Sequence, residues 1–134
     1  MPIFIRVEHT VAVIELDKDN FEDVVTRNDI VIVDFWAPWC GPCKGFAPVF
    51  EAAAAKYRDV VFGKVNTDDE QELAGFYGIR SIPTLMVFRE KVILFSQAGA
   101  LPAQGLDGVI AQAKALDMET VHREVAVQQA QQQQ

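Results

Sequence analysis

Seven consecutive residues, Ile30-Val31-Ile32-Val33-Asp34-Phe35-Trp36, are apolar at every position but one. β-branched and aromatic side chains without polar alternation fit a strand buried on both faces, so such a strand must be covered by other elements above and below. One charge, Asp34, interrupts the run. Residues 37–39 then read as a loop, and residues 42–57 carry the alanines and aromatics of a helix, with Pro48 as an expected kink. A strand is predicted over 60–65 and a short helix over 68–77, so from Ile30 the chain reads as a βαβ unit, parallel and right-handed by the usual rule.

The flanking segments complete this unit. Residues 84–88 and 92–97 read as a hairpin, and Leu106, Val109, Ile110, Ala113 and Leu116 trace one face of a closing helix. Upstream, 11–16 is a strand and Asp19 or Asn20 caps a helix to about Arg27. The predicted order is β-α-β-α-β-α-β-β-α, an α/β fold. Residues 1–10 form an N-terminal extension, 11–116 the domain, and 117–134 a glutamine-rich tail that is either a frayed helix or, above all in its last six residues, disordered.

With 134 residues, half of them hydrophobic, the chain holds one core. Its net charge of -7 argues against nucleic acid and anionic membranes as partners. No apolar run approaches the roughly 18 residues of a spanning helix, and residues 1–10 lack the apolar stretch of a signal peptide, so a cytoplasmic protein is expected.

The only two cysteines lie in Cys40-Gly41-Pro42-Cys43, where the strand-turn-helix pattern places a helix N-terminus. Free N–H groups and the positive end of the helix dipole stabilise a thiolate there, which makes Cys40 the expected nucleophile. Residues three apart on a helix share a face, so Cys43 can attack the Cys40 sulfur and act as the resolving thiol. Pro42 has a preset φ and no N–H to satisfy in the first turn, and Gly41 admits a close substrate backbone. Two other readings stand beside this one. Zinc would need about four ligands, and only His9 and His122 could join the cysteines, so no metal is expected. Alternatively, the cysteines could be buried and inert.

Phe35-Trp36-Ala37-Pro38-Trp39-Cys40-Gly41-Pro42-Cys43-Lys44, followed by Ile82-Pro83-Thr84, closely resembles the thioredoxin family from about Val11 to Leu116. The resemblance implies a central mixed sheet flanked by helices on both faces, and reduction of disulfides in client proteins. It further implies that no cofactor is bound, with electrons coming from NADPH through thioredoxin reductase as partner. Ribonucleotide reductase and peroxide- or sulfoxide-removing enzymes are the implied clients, and a monomer is expected. Asp34 matches the family's buried acid, which relays a proton for Cys43, and Lys64 the lysine that moderates its charge. A carboxylate inside an apolar strand is costly, which independently marks Asp34 as a candidate acid or base. Pro83 matches the cis-proline facing the dithiol. Trp39, Ile82, Gly99 and Ala100 should form a shallow apolar groove, with Trp36 packed beneath it.

Several residues depart from the family pattern. Ser81 stands where many relatives have glycine, Thr67 where an apolar residue often lines the groove, and Glu90-Lys91 where a tight hairpin expects Asn-Gly, which implies a strained or differently shaped turn. Pro38 should stiffen the active-site loop. Between reductase, oxidase or isomerase, and binding module, the Gly-Pro dipeptide favours the reductase, because it carries no charge that would stabilise the thiolate and make the disulfide more oxidising.

Overall fold

The computed structural model describes residues 12–133; the expectations for residues 1–10, for His9 and for Val11 lie outside the described residues. Five strands, β1 (Val13–Glu15), β2 (Ile30–Trp36), β3 (Val61–Asn66), β4 (Thr84–Arg89) and β5 (Val92–Ala98), form one sheet of order β1-β3-β2-β4-β5. The first three are mutually parallel, while β4 and β5 run antiparallel to β2 and to each other, so the sheet is mixed. Among the described residues five helices accompany it: α1 (Phe21–Arg27), α2 (Gly41–Lys56), α3 (Gln71–Phe76), α4 (Ala103–Ala115) and α5 (Met118–Gln132).

The period-2 alternation of β2 divides the core between two sides. Ile30 and Ile32 join Phe46 and Phe50 of α2 and Leu106 and Ile110 of α4. Val31, Val33 and Phe35 join Phe21 and Val25 of α1, with Leu73 of α3 and Tyr77 alongside. By the same alternation Asp34 and Trp36 lie on the α2 side. Tyr57 Oη donates to Asp107 Oδ1 at 2.7 Å and so ties the end of α2 to α4. Pro48 lies inside α2.

The structure refines the expected boundaries. Asn20 occupies the N-cap of α1 without a side-chain cap bond; instead the Asp17 carboxylate accepts from the N–H groups of Asp19 and Asn20. The helix expected over 68–77 shortens to α3, because residues 67–69 form a turn anchored by Asn66, whose side chain accepts from the Asp68 N–H. Leu116 is exposed rather than on the buried face of α4, since the chain leaves the helix there for an extended conformation.

The Glu90-Lys91 turn has φ of 50° and 70°, the left-handed pair that a two-residue hairpin requires. Neither residue is glycine, so each costs about 1–2 kcal/mol. Contacts hold the turn in place: the Glu90 N–H donates to Asp29 O at 2.9 Å, and the Glu90 carboxylate meets His122 Nε2 of α5 at 2.7 Å. Next to it, Arg89 Nη1 donates to the carbonyls of Ala113, Lys114 and Leu116, closing the C-terminal end of α4.

The tail is helical through Gln132, where disorder was expected for its last six residues. Asp117 starts α5 by accepting from the Glu119 N–H, and Met118 is buried, but residues 126–133 are all exposed. Deleting residues 128–134 should therefore leave the thermal unfolding midpoint unchanged. Met118→Ala should lower stability by about 2 kcal/mol in urea unfolding. A large loss on truncation would show that the exposed part of α5 packs against something.

Candidate functional site

The end of β2 delivers the chain into the turn of residues 37–39 and then into α2. Cys40 is the N-cap of α2, with extended backbone, and its Sγ accepts the Cys43 N–H at 3.2 Å. An orphan donor of the first helical turn is thus spent on sulfur, the arrangement that favours a thiolate. Pro42 sits in the first turn, where its missing N–H leaves no acceptor unsatisfied. Cys40 and Cys43 are joined as a disulfide with Cα atoms 5.2 Å apart. Exposure does not separate the two residues, at 4% and 3%. What distinguishes Cys40 is its cap position and its place against the facing loop.

That loop carries the Ile82–Pro83 cis peptide. Cys40 Sγ lies 3.8 Å from Ile82 O. The Thr84 hydroxyl donates to Ser81 O at 2.6 Å and pins the loop to the start of β4. Gly99, at φ 104°, donates its N–H to Pro83 O at 2.8 Å, a backbone shape that L side chains rarely adopt. Gly99 is thereby brought beside Pro83, with Ala100 following it; both are exposed, as are Gly41, Pro42 and Ser81.

Trp39 is 69% exposed and its indole donates to Asp68 Oδ1 at 3.2 Å. Nothing in the sequence signalled Asp68, because its contact spans 29 positions. Thr67 turns its hydroxyl inward to Trp36 O at 3.0 Å, so its oxygen is bonded within the fold. Trp36 is half-buried and packs with Ala37, Cys40, Cys43 and Ile82.

Asp34 is 1% exposed, and neither carboxylate oxygen has a hydrogen-bond partner among the described residues. Burial pushes its pKa up from 3.8 to about 7, against a smaller lowering by the positive charge of Lys64. Lys64 pairs with Asp34 in register across β2 and β3. It forms no ion pair with it: its Nζ lies 4.4 Å from the centre of the Trp36 ring. Among the described residues no group of three His, Cys, Asp or Glu side chains could hold a metal, and no helix is long and apolar enough to cross a membrane.

A mixed sheet that presents a disulfide at a helix N-terminus, opposite a cis-proline, defines a thiol–disulfide oxidoreductase. Comparisons with known proteins narrow the class. The thioredoxin family profile matches residues 12–112. The putative thioredoxin 2 of Streptomyces coelicolor is 56% identical over 120 residues, covering 90% of each chain. A mutant thioredoxin from Halobacterium salinarum superposes with a TM-score of 0.73 at 32% identity, over 78% of this chain and 93% of that one. A complex of ferredoxin:thioredoxin reductase and thioredoxin f2 contains a chain that matches with a TM-score of 0.71 at 34% identity, over 77% of this chain and 96% of that one. The chain belongs to the thioredoxin family. It is a protein-disulfide reductase, and such proteins work through their two thiols without a bound cofactor.

The burial of Asp34 has a measurable consequence. Its folded pKa lies above the unfolded value, so as pH rises the unfolded state releases its proton first and stability falls. The fall begins near pH 3.8 and levels off above about 7. A shift of this size corresponds to on the order of 4 kcal/mol. Asn is nearly isosteric and never ionises, so Asp34→Asn should be the more stable protein at pH 8 by urea unfolding, with the difference vanishing near pH 4. A mutant less stable at pH 8 would mean that the carboxylate is satisfied in the fold.

Proposed function

We propose that the protein reduces client disulfides in the cytoplasm, with Cys40 attacking, Cys43 resolving, and Asp34 accepting the proton that Cys43 must lose. The observation that carries this reading is the unpartnered, buried Asp34 carboxylate on the same side of the sheet as α2. A base of raised pKa suits proton removal from a thiol near neutral pH.

In the dithiol form, the Cys40 thiolate attacks one sulfur of the client disulfide. A Cys40–client disulfide forms and one client thiolate leaves. The Cys43 proton then passes to Asp34, and the Cys43 thiolate attacks Cys40 Sγ. The second client thiolate departs, the Cys40–Cys43 disulfide forms, and the client has gained two electrons. Lys64 moderates the Asp34 charge.

Trp39, Gly41, Pro42, Ile82, Pro83, Gly99 and Ala100 are the substrate-binding residues of this scheme. Ile82 offers backbone to an extended client segment, since Pro83 has no N–H to compete for it. Trp39, the residue before Cys40, is exposed. Thioredoxin reductase would return the disulfide to the dithiol with electrons from NADPH; the complex of ferredoxin:thioredoxin reductase with thioredoxin f2 supports a reductase as partner for a fold of this kind. Ribonucleotide reductase and peroxide- or sulfoxide-removing enzymes are the client classes of this reading.

Cys43→Ser should trap mixed disulfides with clients in non-reducing gels, and Cys40→Ser should trap essentially none. Equal trapping by both variants would overturn the assignment of roles. With NADPH and a thioredoxin reductase the wild type should turn over insulin disulfides; activity neither with that couple nor with dithiothreitol would sink the reductase reading.

A further inference from the structure

Opposite charges facing each other on one side of a strand pair ordinarily attract into contact. Asp34 and Lys64 face each other in register yet do not pair. The Lys64 ammonium reaches along the sheet and rests over the Trp36 ring, two residues beyond Asp34 on the same face. Beyond Lys64 in the same row, β1 places Glu15, its own register partner, and no ion pair forms there either. The ammonium thus has a carboxylate on each flanking strand and sits on the indole instead.

Among the described residues, the other surroundings of Asp34 offer no competing charge. β4 places Leu85 opposite it, α4 brings Leu106 and Ile110 to this side, and α2 brings the buried Cys43. Of the remaining charges on these helices, Lys44, Glu51, Lys56 and Lys114 are exposed, and Asp107 is engaged by Tyr57 and Lys56. Lys64 is therefore the cation that acts on Asp34, against the larger effect of burial, and its ammonium rests on the Trp36 ring. The Trp36 N–H is itself buried without a partner, so packing and the ammonium hold the ring where it is.

We propose that Trp36 is a positioning residue for the proton-transfer step: its ring seats the Lys64 ammonium out of contact with Asp34, which keeps the carboxylate basic enough to take the proton of Cys43. The proposal rests on the acceptor role given to Asp34 above, but the geometry it asserts can be tested without that role. An ammonium in direct contact would favour the ionised carboxylate and lower its protonation midpoint by about 1–3 pH units.

The test is a carbon-13 NMR titration of the Asp34 carboxyl in the oxidised protein, where the cysteines do not titrate. Trp36→Leu should lower the midpoint by about one pH unit or more, because Lys64 is released to pair with Asp34. Trp36→Phe, which keeps an aromatic face, should restore most of the wild-type midpoint. In a Lys64→Met background Trp36→Leu should have no effect, an outcome that loss of packing alone would not produce. Should Trp36→Leu fail to fold, fluorinated tryptophans of increasing fluorine content weaken the ring's attraction for cations while keeping its shape, and the midpoint should fall stepwise. An unchanged midpoint in Trp36→Leu or across the fluorinated series, or a shift that persists without Lys64, would overturn the proposal. A lowered midpoint together with an Asp34→Asn variant that reduces insulin disulfides as fast as the wild type would uphold the seating of Lys64 and reject the acceptor role of Asp34.

Discussion

β2 has no face in water. Val31, Ile32, Val33 and Phe35 are each completely buried, and burying side chains of this kind contributes about 1.5–3 kcal/mol apiece. That sum exceeds the cost of ionising Asp34 in the same strand, which explains how the fold tolerates a carboxylate with no partner. The double burial also dictates the rest of the architecture. Two sides must be covered, so α2 and α4 close one and α1 and α3 the other, and the neighbours of β2 must be β3 and β4, which are largely buried themselves.

Because β2 ends at the site, its burial turns directly into chemistry. The chain leaves the strand at Trp36 and enters α2 at Cys40, so the positive end of a 16-residue helix stands over a sulfur atom. The loop of β4 closes in from the antiparallel side, with Ile82 O against that sulfur. The thiolate-stabilising groups are backbone N–H donors and a dipole, which need no charged neighbour. The titrating carboxylate is kept apart from them, below the helix and out of water. One element therefore favours the anion at Cys40 while another holds the buried carboxylate of Asp34 on the α2 side of the sheet.

Most of this was legible in the sequence because it depends on short-range pattern. An unbroken β-branched run, Cys-x-x-Cys at a strand-to-helix junction and a lone Asp among apolar residues each carry their meaning within about ten positions. The cis-proline and the nearness of Lys64 to Asp34 required the family resemblance, because Pro83 and Lys64 are ordinary residues in their local context. What escaped was set by long-range contact. The Trp39–Asp68 bond, Arg89 closing α4, His122 against Glu90, and the ammonium of Lys64 on Trp36 all join segments that no local periodicity connects. For the tail, local pattern left a frayed helix and disorder both open, because glutamines suit either; Asp117 caps a helix there and Met118 anchors it.

The central claim is that the junction of β2 and α2 makes Cys40, and not Cys43, a reactive thiolate. The most direct test is the pH dependence of iodoacetamide alkylation of the reduced protein, with the modified cysteine identified by mass spectrometry. Alkylation should fall on Cys40 almost alone, and its rate should rise with an inflection below that of a free cysteine thiol, about 8.5. Modification shared equally by the two cysteines, or an inflection at or above the free-thiol value, would contradict the account.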